Sequence, residues 1–178
     1  MKREESAIFG AGCFWCVEGV YNLLKGVNVA VSGYSGGDTV NPTYKEVCTG
    51  ETNHAEVVKI DFNPDEISYE ELLEAFWAVH DPTSLNKQGE DVGTQYRSVI
   101  YYLNEEQKAK AEQSKLNLDQ SGQLENPIVT TIEPFDVFYP AEDYHQGYYN
   151  ENPTQPYCSA VVGPKIQKFR AKFAEKLK

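Results

Sequence analysis

The stretch 6-SAIFGAGCFWCVEGVYNLL-24 contains a short apolar strand that turns directly into a helix. The strand covers Ser6–Ala11 and is bounded by glycines. Apolar residues then recur through Cys13–Leu24 at the spacing of one helix face. The sequence therefore predicts that the thiol of Cys13 lies where the strand becomes the helix.

The rest of the chain alternates short strands with helices. Long loops are expected at Gly33–His54 and His80–Thr94, and the stretch from Pro134 to Pro156 is aromatic and irregular. Alternating or apolar runs predict strands, and capped periodic runs predict helices. The predicted strands are Val27–Ser32, Ala55–Phe62, Tyr96–Leu103 and Ile128–Ile132, and the predicted helices are Ser68–Val79, 104–120, one short helix near Ala141–Tyr149 and one opened by Pro164.

The lengths and polarity of these strands indicate the fold class. They are short and largely half-polar, whereas a doubly wound parallel sheet has fully apolar strands. We therefore expect an α+β fold: a two-layer sandwich of a mixed sheet with packed helices and long irregular loops. A length of 178 residues fits one domain, so residues 1–178 are expected to form a single catalytic domain.

Charge and composition restrict the expected partners and location. The formal net charge is −11. Such an acidic surface repels nucleic-acid phosphates and anionic lipids, so neither nucleic acid nor a membrane is an expected partner. No apolar run approaches the roughly 20 residues of a membrane helix. The start of the chain does not resemble a signal peptide, so a cytoplasmic protein is expected.

Cys13 is the strongest candidate for a reactive group. Free N–H groups and the helix dipole at a helix N-terminus favour a thiolate, which is the nucleophilic form of cysteine. Cys16 completes a C-x-x-C spacing, which is also typical of thioredoxin-like disulfide oxidoreductases and of half a zinc site. No second such pair occurs, so no metal site is expected. A disulfide oxidoreductase and a non-enzymatic redox sensor stay open as alternatives.

Beyond this motif, the sequence resembles a known family along nearly its whole length. Gly12-Cys13-Phe14-Trp15 resembles the active-site motif of peptide methionine sulfoxide reductases of the A type, which act on the S epimer of the sulfoxide. Further segments match that family in its order: Gly33–Gly37, Asn41–Tyr44, Val47-Cys48, His54–Glu56, Phe76-Trp77, His80–Pro82, Gly93–Ser98 and Ala141–Gln146.

The resemblance implies a role for each matching residue in the reaction. Cys13 would attack the sulfoxide sulfur, and Glu56 would protonate the sulfoxide oxygen. Tyr44 and Tyr96 would direct their hydroxyls at that oxygen. An acid of this kind needs a carboxyl that stays neutral near pH 7, which requires burial away from cations.

The resemblance also implies how substrate is held. Phe14 and Trp15 would form an apolar pocket for the substrate methyl group, and Asp91 would bind the main chain of the methionine. The substrate would be methionine sulfoxide in oxidised proteins or peptides. No bound cofactor is implied, and a monomer is assumed because one domain suffices.

A second thiol is needed to complete the cycle. By resemblance, Cys158 would resolve the sulfenic acid of Cys13 as a disulfide, and thioredoxin, or dithiothreitol in vitro, would reduce it. Many family members have glycine where this chain has Cys16, so Cys16 is an alternative resolving thiol. Cys48 is expected to be structural.

Overall fold

The strand and helix of the opening stretch lie at the centre of the fold. The structure, a computed structural model, describes residues 4–88, 91–152 and 154–177. Strand β1 (Glu5–Ala11) leads after two residues into helix α1 (Phe14–Tyr21), which is shorter than expected at both ends. Successive residues of β1 face opposite sides of the sheet: Phe9 lies in the main core and Ile8 in a smaller cluster.

The remaining elements alternate largely as the sequence predicts. Short helical turns, of the 3-10 or π type, occupy Thr94–Tyr96, Asp143–His145, Cys158–Val162 and Ala174–Lys176. The other elements are β2 (Val27–Ser35), α2 (Tyr44–Cys48), β3 (Ala55–Phe62), α3 (Tyr69–Val79), β4 (Lys87–Gln88), β5 (Asp91–Val92), β6 (Ser98–Tyr102), α4 (Glu105–Gln120), β7 (Thr131–Pro134), β8 (Phe138–Pro140), α5 (Tyr148–Glu151) and α6 (Gly163–Lys172).

A mixed sheet forms the frame of the molecule. Within the described residues it has six strands in the order β7-β6-β1-β3-β2-β8. The β6–β7 pair is parallel and the other pairs are antiparallel. The main core lies between this sheet and helices α1, α3 and α6. The predicted α+β fold with a mixed sheet and packed helices is confirmed.

Two expected loops contain regular structure. Strand β2 extends to Ser35 because β8 pairs with its end, and Phe138 leaves no room for a side chain at Gly33, where a Cβ would lie 2.4 Å from Cζ of the ring. Helix α2 begins at a capping box formed by Thr43 and Glu46. The second loop contains the paired strands β4 and β5, and residues 89 and 90 lie outside the described residues.

Three other predicted elements differ in their bounds. Strand β6 begins at Ser98, because a 3-10 turn occupies the preceding residues. Strand β7 starts later than expected, at Thr131, because its parallel pairing with β6 begins where Thr131 lies opposite Val99. The short helix expected near residues 141–149 is divided into a 3-10 turn and α5.

Of the helices in the described ranges, none is long and apolar enough to cross a membrane.

Phe9 is a critical core residue for stability. It is fully buried in β1, and its ring packs on Tyr21, Tyr69 and Phe76 at centroid distances of 5.9, 5.9 and 5.1 Å. We expect Phe9→Ala to lower the free energy of unfolding by about 3–5 kcal/mol, measured by urea denaturation. The control Leu116→Ala, at a residue 47% exposed on α4, should change it by about 0.5 kcal/mol or less. Similar losses in both variants would contradict this assignment of the core.

Candidate active site

The turn between β1 and α1 fixes the position of Cys13. Gly12 has a φ of +90°, which lies in the region that favours glycine. A Cβ at Gly12 would also lie 2.7 Å from Cγ of Gln88, so the turn has no room for a side chain. Cys13 is the N-cap of α1, and its carbonyl accepts a hydrogen bond from the Val17 N–H at 3.5 Å.

A cavity of about 250 Å³ opens at Cys13. It joins residues from the start of α1, from α2, from the paired strands β4 and β5 and from the C-terminal segment. Phe14 and Glu56 are buried beside these residues and do not line the cavity. The lining residues are Cys13, Trp15, Tyr44, Asp91, Tyr96, Gln155 and Tyr157.

Glu56 supplies a buried carboxyl next to the helix N-terminus. Only 2% of the residue is exposed. Its Oε1 accepts a hydrogen bond from the Phe14 main-chain N–H at 3.2 Å, and its Oε2 has no hydrogen-bond partner among the described residues. Burial raises the pKa of Glu56 to about 8; the Phe14 N–H opposes this shift, and Asp91 adds to it. The carboxyl is therefore mainly neutral at pH 7.

The thiol of Cys13 differs from the expectation of a favoured thiolate. Burial raises its pKa well above the usual 9.0, and the Glu56 carboxyl raises it further. The main-chain N–H of Trp15 lowers the pKa, as expected for a helix N-terminus, but desolvation is the larger effect. In the free protein, Cys13 is therefore a protonated thiol at neutral pH.

Tyr44 and Tyr96 reach the cavity from separate elements, α2 and the 3-10 turn before β6. Burial raises the pKa of both phenols, and the nearby Glu56 carboxyl raises them further. Both hydroxyls therefore stay protonated and can donate hydrogen bonds. The sulfur of Cys48 lies beside the Tyr44 hydroxyl and is exposed.

An aromatic shell holds Trp15 at the wall of the cavity. Its indole stacks on Tyr148, with ring centroids 3.9 Å apart and 11° between the planes. Its Nε1–H donates to Nδ1 of His145 at 2.9 Å, and the buried His145 ring lies 4.3 Å from the ring of Tyr44. Neither His145 nor Tyr148 is a predicted site residue. The sequence feature that could have indicated both residues is their position in the aromatic stretch 134–156.

Asp91 forms a hydrogen bond with Tyr157, which is not a predicted site residue. The Tyr157 hydroxyl donates to Oδ2 of Asp91. Burial raises the pKa of Tyr157, as do its neighbours Cys13 and Asp91, so this hydroxyl stays protonated. Because Tyr157 directly precedes Cys158, the segment that carries the predicted resolving cysteine also contributes to the cavity.

All four cysteines are free thiols, and the two candidate resolving residues are both buried. Cys158 begins the π-helical turn that leads into α6, and its N–H donates to Oε1 of Gln155 at 2.9 Å. Burial raises the pKa of Cys16 to about 11, although Lys165 lowers it.

Among the described residues, no three histidine, cysteine or carboxylate side chains lie together as a metal site would require.

The sequence is similar to one protein family over almost its full length. A family model described as peptide methionine sulfoxide reductase matches residues 5–177. The chain is 58% identical over 176 residues to peptide methionine sulfoxide reductase MsrA of a Nitratiruptor species, covering 98% of this chain and 99% of that protein. It is 53% identical over 174 residues to MsrA of Acinetobacter baumannii (strain AYE), with the same coverage.

The fold is similar to solved structures of yeast Mxr1. The crystal structure of Mxr1 from Saccharomyces cerevisiae in reduced form has a TM-score of 0.80 and 34% identity, covering 86% of this chain and 88% of that chain. The structure of Mxr1 in complex with Trx2 has a TM-score of 0.58 and 25% identity, covering 82% and 85%. These similarities agree with the methionine sulfoxide reductase resemblance rather than with a thioredoxin-like oxidoreductase.

The raised pKa of Cys13 predicts slow alkylation at neutral pH. Iodoacetamide reacts with the thiolate, so the rate of modification should be low at pH 7 and should rise as the pH is increased beyond 9. Mass spectrometry of the labelled peptide would measure this rate in a Cys48→Ser background, which removes the exposed thiol. At pH 9, Cys13 should be alkylated faster in the Glu56→Gln variant than in the protein with Glu56. The amide lacks the negative charge that raises the pKa of Cys13. Equal rates would contradict the coupling between these two groups.

Proposed function

The chain belongs to the peptide methionine sulfoxide reductases of the A type, and we propose that it reduces methionine S-sulfoxide through a sulfenic acid on Cys13 with Glu56 as the proton donor. The buried, neutral carboxyl of Glu56 beside the first turn of α1 carries this proposal. A sulfoxide oxygen leaves sulfur only when it is protonated or strongly hydrogen-bonded, and a group with a pKa of about 8 holds a proton at pH 7.

The first step transfers oxygen from the substrate to the enzyme. The sulfur of Cys13 attacks the sulfoxide sulfur while Glu56 delivers a proton to the oxygen. The thiol gives up its own proton, which restores Glu56. The sulfur–oxygen bond of the substrate breaks and a sulfur–oxygen bond forms on Cys13, so the sulfoxide is reduced to methionine and the thiol is oxidised to a sulfenic acid.

Neutral donors around the oxygen support this step. The hydroxyls of Tyr44 and Tyr96 can stabilise charge that develops on oxygen, and removal of one such donor typically costs about 10²–10³ in rate. Because neither phenol ionises at neutral pH, neither adds a negative charge beside the reacting oxygen. The indole of Trp15, which lines the cavity, would hold the substrate methyl group and so select the S epimer. The buried ring of Phe14 would support this site indirectly, since it stacks on Tyr44.

Asp91 gives the site a contact for the substrate main chain. Its carboxylate lines the cavity and can accept a hydrogen bond from a substrate N–H, as the Tyr157 hydroxyl shows by donating to the same group. A peptide-bound methionine sulfoxide offers such an N–H next to the reacting side chain. Protein and peptide substrates are therefore proposed, with free methionine sulfoxide as a further substrate, and the biological role would be repair of oxidised proteins.

Regeneration requires a second thiol and an external dithiol. Condensation of the Cys13 sulfenic acid with a thiol forms a disulfide and releases water, and a dithiol then reduces that disulfide by exchange. Cys158 is the proposed resolving residue, and its complete burial means that the turn Cys158–Val162 must open first. Cys16, one helical turn from Cys13, is the alternative. The Trx2 complex of yeast Mxr1 supports thioredoxin as the reductant.

The whole chain would form one catalytic domain that acts as a monomer in the cytoplasm. The proposed reaction steps use no bound cofactor and no metal. Electrons enter through the external dithiol alone, and dithiothreitol would replace thioredoxin in vitro.

Glu56→Gln tests the proton donor. We expect kcat/KM for a peptide sulfoxide to fall by about 10²–10⁴, with KM changed less than about threefold, because the amide has no acidic proton. The proposed step starts from a protonated Glu56, and the Cys13 thiol supplies the proton that restores it. Because the pKa of Glu56 is about 8, kcat/KM of wild type should be highest below pH 8 and should fall as the pH rises above about 8. A rate unchanged by the substitution would remove Glu56 from the mechanism, and Cys13→Ser is the inactive control.

Cys158→Ser and Cys16→Ser distinguish the two resolving thiols. If Cys158 resolves, Cys158→Ser loses turnover with thioredoxin but keeps single-turnover production of methionine, while Cys16→Ser keeps both. The measurement is the consumption of separate S and R epimers with thioredoxin and with dithiothreitol. Loss of thioredoxin turnover in Cys16→Ser alone would assign the step to Cys16. Consumption of the R epimer at an equal rate would contradict the proposed stereochemistry.

A further inference from the structure

Glu18 is a buried carboxylate that the mechanism above does not use. It lies on α1 one turn after Trp15, so the two residues are neighbours on the helix surface. Only 4% of Glu18 is exposed. Both of its carboxylate oxygens accept from the main-chain N–H of Gly147, at 3.0 and 2.8 Å. Within the described ranges, no cationic side chain forms an ion pair with it.

The contact with Gly147 is a strong anchor. Burial raises the pKa of Glu18 to about 7, and the Gly147 N–H is the group that opposes this shift. Hydrogen bonds to an ionised acceptor are roughly twice as strong as those between neutral groups. Because the pKa is about 7, about half of the Glu18 side chains are ionised at pH 7, and the group holds the Gly147 N–H more firmly as the pH rises above 7.

Gly147 is the point at which the chain enters α5. Its φ of +66° is left-handed, and no atom lies within 4 Å of an added Cβ, so backbone conformation rather than space favours glycine here. The preceding residue, Gln146, is tied to β2: its Oε1 accepts from the Ser32 N–H and its Nε2 donates to the Ser32 carbonyl, both at 2.9 Å. Two consecutive anchors, on the sheet and on α1, thus fix the direction of α5.

These anchors lead back to the wall of the substrate cavity. Tyr148 follows Gly147 directly, and its ring is the one that stacks on Trp15. A closed path of contacts therefore runs from Trp15 along α1 to Glu18, across to Gly147, and through Tyr148 back to the indole. Glu18 does not line the cavity and forms no hydrogen bond with Cys13 or Glu56 among the described residues.

We propose that Glu18 is a positioning residue: by holding the Gly147 N–H, it keeps Tyr148 stacked on Trp15 and so sets the orientation of the indole wall that receives the substrate. The inference rests on the proposed function for the identity of that substrate. Because Glu18 acts through the wall and not through the reacting groups, its loss weakens substrate binding and leaves the chemical step at saturation intact.

Two variants and one matched control test this role. Glu18→Met keeps the length of the side chain but removes both acceptors, and Glu18→Gln keeps one neutral acceptor. Tyr21→Phe is the control: on the same helix, it removes the buried hydrogen bond to the Leu72 carbonyl at 2.9 Å, away from Trp15. Steady-state kinetics with a peptide sulfoxide and dithiothreitol give KM and kcat separately.

A second readout does not depend on activity. The chain has two tryptophans, so its spectrum contains two indole N–H resonances, which Trp15→Phe assigns. The Trp15 N–H is bonded to His145, and the Trp77 N–H is bonded to Oγ of Ser114 at 2.8 Å as an internal reference. Nuclear magnetic resonance therefore reports the indole environment even in a preparation that does not turn over sulfoxide.

We expect Glu18→Met to raise KM about tenfold and Glu18→Gln about threefold, with kcat within about twofold of wild type. Both should move the Trp15 resonance and leave that of Trp77 in place, while Tyr21→Phe changes neither KM nor the Trp15 resonance. If Glu18→Met does not fold, Glu18→Gln alone decides. An unmoved Trp15 resonance or an unchanged KM overturns the inference, as does an equal effect of Tyr21→Phe. Absence of sulfoxide turnover in wild type would instead count against the proposed function.

Discussion

The hydrogen bond from the Phe14 main-chain N–H to the Glu56 carboxyl is the contact on which the site depends. It joins the first turn of α1 to the second residue of β3, across 42 positions of sequence. Strands β1 and β3 are neighbours at the centre of the sheet, so the pairing that forms the fold also brings this carboxyl beside Cys13. Burial then keeps this carboxyl mainly protonated at pH 7 beside Cys13.

Desolvation is the dominant electrostatic effect in the cavity. It raises the pKa of the thiol, the Glu56 carboxyl and the tyrosines, and none of the lining residues in the described part of the chain is a cation. A cation near Glu56 would lower the pKa of this carboxyl and favour its ionised form at pH 7. A site of neutral donors is suited to a neutral, dipolar group such as a sulfoxide. The cost is a thiol that is protonated until the substrate arrives.

The C-terminal third of the chain completes a site that the sheet begins. It supplies Tyr148 behind Trp15, Tyr157 at Asp91, and the buried thiol of Cys158. Between β8 and the turn Cys158–Val162, the described part of this segment has only short helices, and polar contacts of Gln146 and Gly147 tie it to β2 and α1. Because Tyr157 and Cys158 are adjacent, the hydroxyl bound to Asp91 and the buried thiol belong to one segment.

The sequence by itself determined the α+β class, most of the helices and strands, and the placement of Cys13 at a strand-to-helix turn. These follow from local signals: alternation in β1 and β3, the capping box before α3, and the glycine before Cys13. The resemblance added Glu56, Tyr44, Tyr96 and Asp91, which local patterns do not distinguish from ordinary surface or core residues. Tertiary structure alone decided the protonation of Cys13, the contribution of Tyr157 and Tyr148, the burial of Cys158 and the anchor at Glu18. Each depends on desolvation or on a contact between residues far apart in the chain, and neither is encoded in the spacing of neighbouring residues.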